Sequence, residues 1–134
     1  MRDPAKMAGN RACAKSIGVG SANGHNAKGL VSVFVTFNIP GRDCGRFGAS
    51  GMSTYDDWIG AFARGIGDGK ALVIFEPDSL ANLPGDCLKS DLALNSENYP
   101  FSDAQRLAEV KDAVRVLEAD PHVSVYLDAG DSTW

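Results

Sequence analysis

Ala71-Leu-Val-Ile-Phe-Glu-Pro-Asp78 is an apolar run that stops abruptly at acidic residues, and the chain repeats the device twice more. Val31–Phe37 leads into Arg42-Asp43-Cys44, and Val123–Leu127 leads into Asp128-Ala129-Gly130. Short runs of β-branched and aromatic residues with almost no polar interruption are the pattern of buried parallel strands. In a parallel α/β arrangement all C-terminal strand ends share one rim, so side chains distant in sequence meet there in one crevice. The repeat therefore predicts carboxylates gathered around a pocket.

The segments between these runs read as helices. Ser53 and Thr54, followed by Asp56 and Asp57, predict a helix start, because acidic residues are favoured in a first turn. Tyr55, Ile59, Phe62 and Ile66 then recur at helical spacing, and Gly67-Asp68-Gly69 ends the pattern. A second helix starts at Ser102, where Gln105 completes a capping box. Its expected core face is Leu107, Val110, Val114 and Leu117, and Asp120-Pro121 terminates it. The result is β-α-β-α-β, with strands expected at Leu30–Phe37, Ala71–Phe75 and Val123–Leu127. The first strand reads as buried on both faces, with Val31, Val33, Val35 and Phe37 on one side and Leu30 and Phe34 on the other. Residues 1–29 read as an irregular leader, and the stretch from Leu80 to Pro100 as a long loop of the kind that carries substrate-binding elements.

No helix pattern follows the third strand. Right-handed crossovers would put both helices on one side of the sheet, leaving the other face and both edges bare. The chain is thus expected to be a piece of a larger barrel or sheet, marginal alone and inclined to self-associate through its exposed edges.

Composition narrows the partners. At 134 residues, 44% hydrophobic and 22% charged, the chain suits one compact domain. A net charge of −4 without any Lys/Arg cluster argues against nucleic acid or an anionic membrane, and favours a neutral or cationic ligand. No apolar window is long enough to span a bilayer, and Met1-Arg-Asp-Pro-Ala-Lys6 lacks the apolar segment of a secretory signal. The start of the chain therefore reads as that of a cytoplasmic protein or of one whose true N-terminus is missing. Cys13, Cys44 and Cys87 are too few and too widely spaced for a zinc site. Cys44 and Cys87 each follow an acidic residue beyond a strand end, which leaves two readings open: a bridge, or two unpaired thiols. A bridge would contribute roughly 4 kcal/mol in an oxidising compartment.

Asp78 follows Pro77 at the end of an apolar strand, a setting that can desolvate a carboxyl and suit it to donating a proton. Asp43 on the neighbouring strand end could tune that proton by repulsion or by hydrogen bonding. One carboxyl tuned by another is the chemistry of glycosidic bond cleavage. The plainer structural alternative has Asp78 capping the turn Ser79-Leu-Ala-Asn82 and Asp43 paired with Arg42. A Mg²⁺-dependent phosphotransferase would also use acidic strand ends, but no phosphate-binding Lys or Gly-rich loop opening a helix is suitably placed. His25 and His122 have the flanks of a loop residue and a strand-entry residue, and neither fits a catalytic base.

Taken together, Phe37-Asn-Ile-Pro-Gly-Arg-Asp-Cys44, Phe75-Glu-Pro-Asp-Ser-Leu-Ala-Asn82 and Tyr126-Leu-Asp-Ala-Gly130 resemble the signature segments of glycoside hydrolase family 6, the cellobiohydrolases and endo-β-1,4-glucanases. Three motifs occur in the right order over residues 30–134. The resemblance implies the N-terminal part of a distorted parallel (β/α) barrel, about three strands and two helices, acting on β-1,4-glucan with inversion. It implies no cofactor and no metal, and it implies secretion. By position, Asp78 would be the general acid and Asp43 the residue tuning it. Asp128 would join the polar network beside the scissile subsite, and Trp134 would be a sugar-stacking platform. Phe37 and Arg42 would belong to the substrate-binding surface. Ser50, in the segment Gly45–Gly51, would help hold the nucleophilic water on a loop whose glycines let it close. The family's disulfide implies the pair Cys44–Cys87 and leaves Cys13 unmatched.

Two positions depart from the family pattern. Phe37 stands where tyrosine is usual, keeping the ring and losing the hydroxyl, and Asp131 stands where histidine is usual. In the family the aspartate proposed as base, or as the relay to it, lies beyond the position of Trp134. The resemblance therefore implies weak or no hydrolysis by these residues alone, with a non-catalytic glucan-binding fragment as the alternative.

Overall fold

The computed structural model describes residues 29–45, 47–87 and 101–130. All of the expected leader except Gly29 lies outside them, as do Cys13, residues 88–100, Asp131 and Trp134. The elements in chain order are β1 (Ser32–Thr36), α1 (Met52–Ile66), β2 (Ala71–Phe75), α2 (Pro84–Cys87), α3 (Asp103–Leu117) and β3 (Val123–Leu127). The strands form one parallel sheet in the order β1-β2-β3, with Val33 opposite Leu72, Val35 opposite Ile74 and Ile74 opposite Tyr126. β2 and β3 have the bounds that their apolar runs predict, whereas β1 is shorter than Leu30–Phe37 at both ends.

Alternation along the strands separates two unlike faces. Ala71, Val73, Phe75 and Val123 are buried beneath Tyr55, Ile59 and Ile66 of α1 and Val110, Ala113 and Leu117 of α3. Both long helices thus lie on one side, as right-handed crossovers require. The other side has no cover among the described residues: Val33 is 56% exposed, Val35 50%, and Val31, Phe37, Ile74 and Tyr126 are exposed as well. The expected burial of β1 on both faces is therefore not found, and the expected bare apolar face is. On its inner side β1 offers the small hydroxyl residues Ser32 and Thr36, both fully buried, flanking Phe34. Phe34 meets Phe62 edge to face at 5.6 Å.

The helix starts differ in mechanism. α1 begins at Met52 after Gly51 with no side-chain cap, so Asp56 and Asp57 fall in its second turn and not its first. α3 has the complete capping box: Gln105 N–H donates to the Ser102 hydroxyl, and Ser102 N–H donates to the Gln105 side chain. Its buried face is rotated from the expected one. Leu107 is 49% exposed, while Arg106, at 2%, is buried instead. The reason is chemical: the Arg106 guanidinium donates to the carbonyls of Ser79 at 3.1 Å and Pro40 at 2.7 Å, groups that no apolar side chain could satisfy.

Glu109, one turn further along α3, is also buried. Burial first, and then the neighbouring Asp56 carboxylate of α1, push its pKa up to about 7 from 4.5, against the opposing pull of Arg106. The folded chain thus holds this proton more tightly than the unfolded chain. Its contribution to stability is complete below pH 4.5 and is lost as pH rises through about 7. Thermal melts from pH 5 to pH 8 should show a falling Tm, and Glu109→Gln should flatten that slope and raise Tm at pH 8.

Candidate active site

Four non-glycine residues among those described have left-handed backbone, and all lie on two adjacent strand exits: Asp43 (φ 57°), Cys44 (φ 52°), Glu76 (φ 41°) and Asp78 (φ 64°). Such a conformation costs of order 1 kcal/mol or more, and persists where surrounding structure over-determines it. The strained residues coincide with the two motifs that the sequence singles out.

The β2 exit is held from within. Glu76 N–H donates to the Thr36 carbonyl at 3.0 Å and meets the Thr36 hydroxyl at 3.1 Å. Its carboxylate turns into the core, where Oε2 accepts the N–H groups of Asn38 and Ile39 at 2.8 and 2.9 Å. Oε1 accepts the Tyr55 hydroxyl at 3.0 Å. Burial raises the Glu76 pKa, while these donors and the Arg106 charge lower it. The same Glu76 presses the Tyr55 phenol upward, although burial is the larger cause there.

Beyond Pro77, Asn82 N–H closes the turn by donating to the Asp78 carbonyl at 2.8 Å, and Arg106 binds the Ser79 carbonyl within it. Asp78 N–H reaches across to Asp128 Oδ2 at 2.8 Å, and Asp128 Oδ1 accepts Gly130 N–H at 3.0 Å. These two donors lower the Asp128 pKa. Gly130 has positive φ and packs so closely on Ala81 that a Cβ would lie 2.8 Å from the Ala81 methyl. The third strand exit is thereby fastened to the second.

The β1 exit carries Arg42 and Asp43, which form an ion pair as the plainer structural alternative supposes. The Arg42 guanidinium lies over Phe37 at 4.2 Å and near Phe47 at 5.6 Å. Cys44 is bonded to Cys87 of α2, with 5.1 Å between their Cα atoms, so the bridged reading of the two thiols is the one found. Phe47, Gly48 and Ala49 of the following Gly-rich segment are pinned. Gly41 N–H donates to Phe47 and Ala49 N–H to Asn38, and a Cβ on Gly48, whose φ is 86°, would fall 2.1 Å from the Ile39 carbonyl oxygen. Close approach is what this glycine provides. Ser50 is exposed beside Thr54, its Oγ 3.2 Å from the Thr54 hydroxyl, just ahead of α1.

Asp43, Asp78 and Asp128 thus share one rim with Phe37, Arg42 and Ser50, while Trp134 lies outside the described residues. The reading of the sequence missed Glu76, Tyr55 and Arg106. Glu76 was visible as a carboxylate set directly against an apolar strand, and Tyr55 as a core tyrosine needing a partner for its hydroxyl. A depression of about 300 Å³ lies at the opposite strand ends, lined by Lys70, His122 and Tyr126 among others, away from all these carboxylates. Among the described residues no cluster of His, Cys, Asp or Glu has the grouping of a metal site, and no helix is long and apolar enough to cross a membrane.

Comparison with known proteins gives a consistent picture. The profile of the Glycosyl hydrolases family 6 matches residues 9–134, which reaches into the segment expected to be a leader. Endoglucanase 1 of Streptomyces sp. (strain KSM-9) is 36% identical over 112 residues, covering 81% of this chain and 28% of that protein. Endoglucanase A of Cellulomonas fimi is 36% identical over 110 residues, covering 81% and 21%. The endoglucanase Cel6 from Mycobacterium tuberculosis, solved in complex with methyl-cellobiosyl-4-deoxy-4-thio-β-D-cellobioside, superposes with a TM-score of 0.67 at 35% identity, covering 85% of this chain and 36% of that one. The chain spans only 28% and 21% of the length of these two curated relatives.

Two substitutions test the rim. Reducing the disulfide, or replacing Cys44 with Ser, should lower unfolding free energy by up to roughly 4 kcal/mol, measured by denaturant melts with and without reductant. Gly48→Ala should cost more than about 1 kcal/mol, since both the positive φ and the clash with a backbone carbonyl oppose it, whereas Gly65→Ala, which meets open space within α1, should not destabilise.

Proposed function

The chain belongs to glycosyl hydrolases family 6, and we propose that it hydrolyses β-1,4-glucosidic bonds of cellulose or related β-glucans with inversion at the anomeric carbon. The observation that carries this reading is the convergence of Asp43 and Asp78 on adjacent strand exits in left-handed backbone, stapled by a disulfide and fastened to Asp128. Left-handed backbone at Asp43, Cys44, Glu76 and Asp78 marks strand exits held by their surroundings, which supports a preorganised acid site.

In the proposed reaction Asp78 gives its proton to the leaving glycosidic oxygen as the C1–O bond breaks. Water attacks C1 from the opposite face, forming the new C–O bond, and its proton passes to a base. The resemblance to the family assigns that base to sequence beyond the position of Trp134. Asp43, paired with Arg42, tunes the charge beside Asp78. Asp128 holds the Asp78 backbone in place, and Ser50 helps to hold the water. Phe37 with Arg42, and Trp134, supply flat surfaces for sugar rings. A cello-oligosaccharide in a solved relative supports a glucan ligand here. Secretion fits as well, since a Cys44–Cys87 bridge persists in oxidising compartments.

The alternative is a glucan-binding unit without catalysis, which would use the exposed ring of Phe37 and need no proton donor. Reducing-sugar release from carboxymethyl-cellulose and cello-oligosaccharides, with anomer analysis of the first product, separates the readings. Hydrolysis should release the inverted anomer and fall by about 10²-fold or more in Asp78→Asn. Saturable binding of cello-oligosaccharides without release would support the binding unit, and absence of both would overturn the glucan assignment.

A further inference from the structure

Glu76 is the one carboxylate of the three motifs that faces the core and not the rim. It is fully buried, yet stands two residues before Asp78 and accepts hydrogen bonds from Asn38 and Ile39, which open the segment leading to Asp43. We propose that Glu76 is a positioning residue for the Asp43 and Asp78 carboxylates, its side chain locking the exit of β1 against the exit of β2. The proposal rests on the roles given above to Asp43 and Asp78, and adds the group that sets their relative placement.

The geometry favours this role over simple filling of the core. Glu76 has left-handed backbone, so the next residues leave β2 in a direction an extended strand would not give. That turn is held at the main chain by Thr36 and at the side chain by three donors from two other segments. Asn38 and Ile39 donate along non-ladder directions beyond the end of β1, where their N–H groups have left the sheet. Arg106 completes the lock from the other side by binding the Pro40 and Ser79 carbonyls, one on each exit. Two segments that the sheet alone would release at Thr36 and Phe75 are thus kept in register for several residues more.

The donor pattern makes position and charge separable. Glutamine at 76 can keep the arrangement, its carbonyl oxygen accepting Asn38 and Ile39 while its amide N–H donates to the Tyr55 oxygen. Alanine cannot. Glu76→Ala should lower kcat on cello-oligosaccharides by on the order of 10²-fold with KM little changed, as misplacement of reacting groups does. Hydrogen exchange should show protection lost at the Asn38, Ile39 and Asp78 amides and kept at Val73 and Leu117. Glu76→Gln should restore both readouts to near the unsubstituted chain. Equal loss in the glutamine and alanine variants would overturn the proposal in favour of a charge role, and loss of protection across the whole core would overturn it in favour of a stability role. Unchanged exchange at Asn38 and Ile39 would overturn it outright. Should the alanine variant not fold, Tyr55→Phe removes a single donor and should loosen the same amides, with an unchanged pattern again overturning it. If the unsubstituted chain neither cleaves nor binds glucan, the glucan reading falls by that result, while the exchange measurements still decide whether Glu76 joins the two exits.

Discussion

A carboxylate buried against apolar strands is costly unless fixed dipoles surround it, and the rim of this protein is organised by satisfying one. Glu76 collects its donors from the β1 exit and from Tyr55 of α1, with the Arg106 charge of α3 contributing from further away. The donors come from two different segments, so solvating the carboxylate also fixes where those segments stand. The sheet and its helices are assembled by burial of apolar surface, which is non-directional. The strand exits are assembled by hydrogen bonds, which are directional, and that difference lets them hold left-handed backbone.

The supports of the rim are layered. The disulfide closes a separation of 43 residues between the β1 exit and α2, and acts largely by restricting the unfolded chain. Gly48 and Gly130 admit a neighbouring backbone or methyl group where any Cβ would collide. Asp128 spans from the third exit to the backbone of Asp78. Glycine-rich sequence beside an acidic strand exit invites a reading of mobility, yet at Gly48 space is short. The result is a set of carboxylates whose backbone is held by a disulfide, hydrogen bonds and close contacts.

The sheet itself is asymmetric. One face carries both helices, and the other shows valines, Ile74 and Tyr126 in cross-strand rows to solvent. Parallel sheets ordinarily have both faces covered. The apolar character of β1 on that face belongs to a strand meant for burial, and within the described residues only Ser32, Phe34 and Thr36 turn toward cover. The small hydroxyl residues there are explained by what they meet, since Thr36 accepts the N–H of Glu76.

The sequence by itself determined the order of elements, the bounds of β2 and β3, the capping box at Ser102 and the side of the sheet left bare. Each of these depends on local signals: an apolar run, a pair of residues three apart, or the handedness that every parallel crossover obeys. It also brought Asp43, Asp78 and Asp128 to one rim, because parallel strands admit no other arrangement of their C-terminal ends. Only the tertiary structure decided that Arg106 and not Leu107 lies inside, that α1 starts at Met52, and that Glu76 points inward. The placements of Arg106 and Glu76 turn on the carbonyls of Pro40 and Ser79 and on the N–H groups of Asn38 and Ile39, partners that lie 27 to 66 residues away along the chain. A buried polar group is satisfied by whatever the fold brings beside it, and no local pattern encodes a neighbour at that distance.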